Sequence, residues 1–186
     1  MLEKRDFYIN GQWVAPDSNK SFSIINPSTG KPCAVISLGN TKDADRAINA
    51  AIEQFPMWSK TCPKERLKII KNLTKIYKER SEELAQIVSM EMGAPIDFAL
   101  SAQVAVGLNH LNNFIETFEN FSFERPLGFD KSGRLLFCPI GPVGLITPWN
   151  WPLNQIILKT IAACLAGCTM AVSYTHLRAH ETKANL

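Results

Sequence analysis

Hydrophobic residues in the first forty positions come in short runs separated by turn formers, a pattern that predicts small β elements. Phe7-Tyr8-Ile9 and Gln12-Trp13-Val14 flank Asn10-Gly11, a pair that tolerates the positive φ angles of a two-residue hairpin turn. Asn26-Pro27-Ser28-Thr29-Gly30-Lys31-Pro32 is a turn cluster, and Ala34 to Leu38 reads as a short strand behind it.

From Thr41 the period becomes helical. Ala44, Ala47, Ile48, Ala51, Ile52 and Phe55 repeat at helical spacing behind Thr41 as the expected cap, and Pro56 is expected to end the element. Asp43 and Asp45 suit the positive end of that helix. A second helix begins near Pro63, a residue tolerated in a first turn, and carries an apolar stripe from Leu67 through Ile70 and Leu73 to Tyr77. A third starts at Ser81 and stops at Gly93 and Pro95, and a fourth covers Pro95 to Phe118. These stripes read as core-facing surfaces with no ligand role.

Beyond Phe121 the pattern changes again. Leu127 to Phe137 predicts a hairpin with its turn at Lys131-Ser132-Gly133. Gly144-Leu145-Ile146-Thr147 reads as a strand buried on both faces, Pro152 to Ala166 as a helix closed by Gly167, and Cys168-Thr169-Met170 as the opening of a second strand. Strand, helix, strand in this order is a βαβ unit with parallel strands and a right-handed crossover. The fold class is therefore α/β, with no internal repeat.

Composition narrows the classes. The chain has 186 residues, 46% hydrophobic and 20% charged, which fits a folded globular protein. A formal charge of +3 without a basic face gives no nucleic-acid surface. The longest apolar run, Thr160 to Val172, is too short to cross a bilayer. The start is charged, with no apolar stretch behind it, so no secretory signal is expected. Five cysteines, Cys33, Cys62, Cys138, Cys164 and Cys168, are odd in number and match no common zinc spacing. They read as reduced thiols of a cytoplasmic protein, with Cys164 and Cys168 as small apolar fillers.

Chemistry concentrates in Gly141-Pro142-Val143-Gly144-Leu145-Ile146-Thr147-Pro148-Trp149-Asn150-Trp151-Pro152. A buried strand ends there in a stiff turn between two prolines, followed by a helix. Ligands of open α/β sheets bind beyond the carboxyl ends of the strands, which puts Asn150 at the edge of such a site. A neutral amide donor on a rigid backbone can stabilise a developing oxyanion. An isolated Pro-Trp-Asn is better explained by an asparagine filling a turn.

The segment does not stand alone. Phe7 to Val14, Asn26 to Gly30, Ser89-Met90-Glu91-Met92-Gly93-Ala94-Pro95 and Ile146 to Pro152 occur in the order of four signatures of the aldehyde dehydrogenase superfamily. The chain resembles that family from its N-terminus to Met170. The resemblance implies the N-terminal part of its fold, cut after the first βαβ unit of a Rossmann-like parallel sheet. Residues 1–120 would be the N-terminal hairpin and helices of the cofactor-binding domain, 121–140 an oligomerisation arm hairpin, and 141–170 the βαβ unit.

The resemblance also implies NAD- or NADP-dependent oxidation of an aldehyde to a carboxylic acid through a cysteine thioester, in a homodimer or homotetramer. Asn150 aligns with the oxyanion donor, and Ile146, Thr147, Pro148 and Trp149 with contacts to the cofactor. Lys159 aligns with a lysine on a proposed proton path. No metal is implied. Ala162 stands where the family commonly has proline. The family's nucleophilic cysteine and glutamate base fall later than Met170, so the 186-residue chain is expected to be inactive by itself.

From Ala171 the family pattern stops. The string from Ala171 to Thr182 resembles a translated sequencing adapter, and residues 171–186 are expected to be a non-native tail. His176 and His180 share a zinc-compatible spacing, read here as accidental. A second reading remains, a short non-catalytic chain that keeps the arm and acts as an oligomerisation or binding partner. That reading expects a polar, closed ending, whereas this chain stops just after a strand begins.

Overall fold

The computed structural model describes residues 1–129 and 132–174. His176, His180 and most of the expected tail therefore lie outside the described residues. Strands β1 (Leu2–Lys4), β4 (Ser21–Asn26) and β5 (Lys31–Ser37) form one sheet in the order β1-β5-β4, and β2 (Phe7–Ile9) pairs with β3 (Gln12–Val14) as a hairpin. The hairpin turns on Asn10 and Gly11, both with positive φ, as the dipeptide predicts. Two of these strands went unread in the sequence. In β4, Ile24 alone is fully buried; β1 is exposed throughout and pairs parallel to β5. A short charged edge strand carries no amphipathic signal.

Four helical stretches follow: α1 (Thr41–Trp58), α2 (Pro63–Glu79), α3 (Ser81–Met92) and a long element from Ile96 to Glu119. The cap of α1 is Asn40 rather than Thr41, because the Asn40 side chain accepts from Asp43 N while Asp43 accepts from Asn40 N. Pro56 does not end α1 but sits inside its last turn, where few downstream hydrogen bonds remain to be lost. The long element is not one uniform helix. It consists of α4 (Ile96–Phe98), a π-helical turn (Ala99–Val104) and α5 (Ala105–Glu119).

The arm is a hairpin of β6 (Glu124–Leu127) and β7 (Gly133–Leu136), paired from Glu124↔Leu136 to Leu127↔Gly133. Phe118, Phe121, Phe123 and Phe137 pack edge to face at its base. Finally β8 (Val143–Thr147), α6 (Pro152–Ala166) and β9 (Met170–Tyr174) form the βαβ unit, with β8 and β9 parallel. Gly167 closes α6 in a left-handed conformation, and the bonds from Gly167 N to Cys164 O and Cys168 N to Ala163 O complete the cap. Strand β9 begins at Met170, later than the expected Cys168, and runs on through Tyr174.

One expectation fails in β8. It is not buried on both faces: Gly144 is exposed and Ile146 is 71% exposed. Helix α6 covers one side of the two-stranded sheet at β8, and no other described element covers Ile146. The main core lies instead between α2, α3, the long element and α6, where Ile70, Tyr77, Val88, Leu111, Ile157 and Ile161 are buried together.

Candidate active site

The site is built where β8 runs into α6. Thr147, last in the strand, is fully buried, and its hydroxyl donates to Ser173 O at 3.1 Å, tying the end of β8 to β9. Pro148 and Trp149 are half-buried, and Asn150 is exposed at the tip of the turn. Pro152 then occupies the first turn of α6, where its missing N–H costs nothing. Two prolines around three residues leave the turn few backbone conformations, so its asparagine is held by the frame and not by partners of its own.

Lys159 lies two turns along α6 and reaches back so that its ammonium donates to the Ile146 carbonyl. The structure thus brings together all six site residues read from the sequence: Ile146, Thr147, Pro148, Trp149, Asn150 and Lys159. They form the carboxyl end of a parallel strand, an exposed amide, and one cation. No carboxylate occurs between Ile146 and Pro152.

Four further residues shape this turn, and none was singled out in the sequence as a site residue. Trp151 meets Phe98 edge to face, with ring centroids 6.0 Å apart. Asn154, in the first turn of α6, lies 2.7 Å from His110 Nε2 through its Oδ1. Phe98 and His110 look in the sequence like ordinary helix positions, and only the π-helical turn between them settles which way each points.

Cys164 and Cys168 behave as fillers, whereas Cys62 and Cys138 are exposed. Burial pushes the Cys164 thiol up to about 11, with Arg66 offsetting part of the effect, and Cys168 is buried. Neither thiol lies at the Asn150 turn. Among the described residues no cluster of three His, Cys, Asp or Glu could hold a metal, and no helix is long and apolar enough to cross a membrane. A large open cavity of about 1000 Å³ lies elsewhere, between the β2–β3 hairpin, α1 and β9, lined by Phe7, Phe22, Trp58 and Val172 among others. None of the six site residues lines it.

The geometry of this turn agrees with a wider match. Residues 13–177 fit the aldehyde dehydrogenase family. The chain belongs to that family. It is 40% identical over 173 residues to a 3-succinoylsemialdehyde-pyridine dehydrogenase from a Pseudomonas species, covering 92% of this chain and 36% of that protein. An aldehyde dehydrogenase structure from Bartonella henselae superimposes with a TM-score of 0.92 at 52% identity, over 94% of this chain and 37% of the other. Aldehyde dehydrogenase C of Pseudomonas syringae, solved as a mutant with NAD+ and octanal, gives 0.88 at 38% identity, over 92% and 35%. The chain therefore spans little more than a third of the length of these relatives.

Proposed function

We propose that this chain supplies the oxyanion donor and part of the cofactor platform of an aldehyde dehydrogenase that oxidises an aldehyde to its carboxylic acid with NAD or NADP. The observation that carries this reading is the exposed Asn150 amide on a proline-framed turn at the carboxyl end of β8. The residues fit an anionic dinucleotide. The turn is free of carboxylates, an exposed apolar Ile146 and half-buried Pro148 and Trp149 give a flat platform, and Lys159 adds positive charge. When bound, the nicotinamide cofactor accepts the hydride.

The chain's own residues do the rest of what is assigned to this segment. Asn150 donates its side-chain N–H to the oxygen that becomes negative as the aldehyde carbonyl is attacked. Ile146, Pro148 and Trp149 contact the cofactor, the buried Thr147 holds the strand end beneath them, and Lys159 fixes the Ile146 carbonyl and stands on the proton path. The nucleophilic cysteine and the glutamate base belong to the part of the relatives that this chain does not span. The arm of residues 121–140, with Leu127, Phe129 and Leu136 exposed, pairs subunits into a homodimer or homotetramer. The working place is the cytoplasm, and the activity is that of the general aldehyde dehydrogenases.

The test is a chimera. Residues 1–170 replace the matching segment of the Bartonella henselae enzyme, and NADH formation with a simple aldehyde is followed. The 186-residue chain alone should give no aldehyde-dependent NADH or NADPH above a no-protein control, while the chimera should turn over. Asn150→Ala in the chimera should lower kcat by about 10²–10³ with little change in the KM for NAD. Turnover by the short chain, or an Asn150→Ala chimera with full kcat, overturns the reading.

A further inference from the structure

Asn150 makes no fixed arrangement by itself; what matters is what holds the turn that bears it. Trp151, in the N-cap position of α6, offers no side-chain cap to the helix. The first turn of α6 is therefore located by contacts with other elements. Two such contacts follow directly after Asn150, at Trp151 and Asn154, and both come from the same stretch of chain. Phe98 meets Trp151, and His110 meets Asn154 at 2.7 Å in a half-buried setting. Three residues before His110, Gly107 packs against Ile157, three residues after Asn154: a Cβ built at Gly107 would lie 2.8 Å from Ile157 Cδ1. The two helices thus run antiparallel in close contact, and the His110–Asn154 pair closes that contact at the end nearest the turn.

We propose that His110 is a positioning residue for the Asn150 amide. With Nε2 protonated, the ring donates to Asn154 Oδ1 and pins the first turn of α6 to α5. Pro148 and Pro152 make the intervening turn stiff, so a shift of Asn154 is passed on to Asn150 and not absorbed between them. The π-helical turn Ala99–Val104 lies between the two anchors and sets the rotation at which Phe98 and His110 both face this turn. A misplacement of the oxyanion donor by about 1 Å is enough to cost on the order of 10²-fold in rate.

This inference rests on Asn150 acting as the oxyanion donor, and the experiment separates the two. In the chimera, His110→Leu should lower kcat roughly 10- to 100-fold while the KM for NAD stays within about twofold. His110→Gln presents an N–H near the place of Nε2 and should restore kcat to within about threefold of the parent. In the Asn150→Ala background, His110→Leu should add less than about threefold, because the group it positions is already gone. If Leu and Gln at 110 are equally impaired, or if His110→Leu multiplies fully with Asn150→Ala, His110 is merely structural and the proposal fails. An Asn150→Ala change without effect removes the oxyanion reading and the proposal together, whereas an Asn150→Ala loss with His110→Leu unimpaired overturns the proposal alone. A second readout needs no catalysis. In the 186-residue chain, His110→Leu should speed amide hydrogen exchange over residues 149–156 and leave α2 and α3 unchanged; unchanged exchange in the turn overturns the proposal.

Discussion

Asp43 is a carboxylate with only 4% of its surface exposed, and its surroundings explain how it is tolerated. It accepts from Asp17 N at 2.8 Å and from Asn40 N at 3.1 Å, and Arg46 lies 3.5 Å away. One side chain thus caps α1 and ties the loop after β3 to it. Charge-assisted bonds of this kind contribute about 1.5–3 kcal/mol each, and losing them strands two backbone donors. Asp43→Ala should cost roughly 2–4 kcal/mol of stability, measured as a lower urea midpoint with an unchanged slope. A loss below about 0.5 kcal/mol would mean that water replaces the carboxylate freely. The sequence showed Asp43 as an acid well placed in a first helical turn, and that much stands. It did not show the bond to Asp17, which depends on a loop 26 positions away folding back, a contact with no local signature. Asn150 differs: its setting between two prolines is local, so its exposed place at the strand's end could be read directly from the chain.

At the scale of elements, the helix read over Pro95 to Phe118 exists, but its interior holds a π-helical turn that the apolar spacing does not announce. A neighbour is bonded to its last residue. The Tyr77 hydroxyl donates to Val104 O at 2.9 Å, at the very end of that turn, and burial holds the phenol well above its ordinary pKa. Gly107 stands one turn further on, and a Cβ there would run into the Tyr77 hydroxyl and Ile157 Cδ1. Glycine is needed for close approach of three helices and not for its φ. Gly107→Ala should gain about 1 kcal/mol of helix propensity and lose more than that to overpacking, for a net destabilisation of about 1–3 kcal/mol. Tyr77→Phe alone should cost about 1 kcal/mol. Together they should cost less than their sum, since the phenylalanine removes the nearest clashing atom. Strict additivity in thermal melts of the four proteins would show that the clash is relieved elsewhere. The βαβ unit was easier to read, because proline at the start of α6, glycine at its end and two apolar strands are all signals within thirty residues.

For the whole molecule, the two-stranded sheet that carries the site is covered only in part. Strands β8 and β9 form a parallel sheet of two, and parallel strands are ordinarily buried on both faces. Here Ile146 is 71% and Val172 45% exposed, and Val172 borders the open cavity beside α1. What anchors β9 is long-range: the Thr169 hydroxyl donates to Ala51 O at 2.6 Å, across 118 positions. No sequence pattern predicts that pairing of α1 with β9, and the expectation of a fully buried β8 failed because apolar composition does not say which faces of a strand a neighbouring element covers. An uncovered parallel edge with apolar neighbours is a template for association. The 186-residue chain should therefore enhance the fluorescence of a hydrophobic dye and elute larger than a monomer. The arm offers a competing surface, so two variants separate the causes. Val172→Lys places a charge on the β9 surface and should reduce dye binding and association, whereas Leu136→Lys on the arm should leave dye binding largely intact. If the arm variant alone restores a monomer, association runs through the hairpin, and the β8–β9 sheet is better shielded than its exposed side chains indicate. A monomeric parent with a sharp cooperative melt and no dye signal would show that two parallel strands backed by α6 and α1 are enough to hold the Asn150 turn in place.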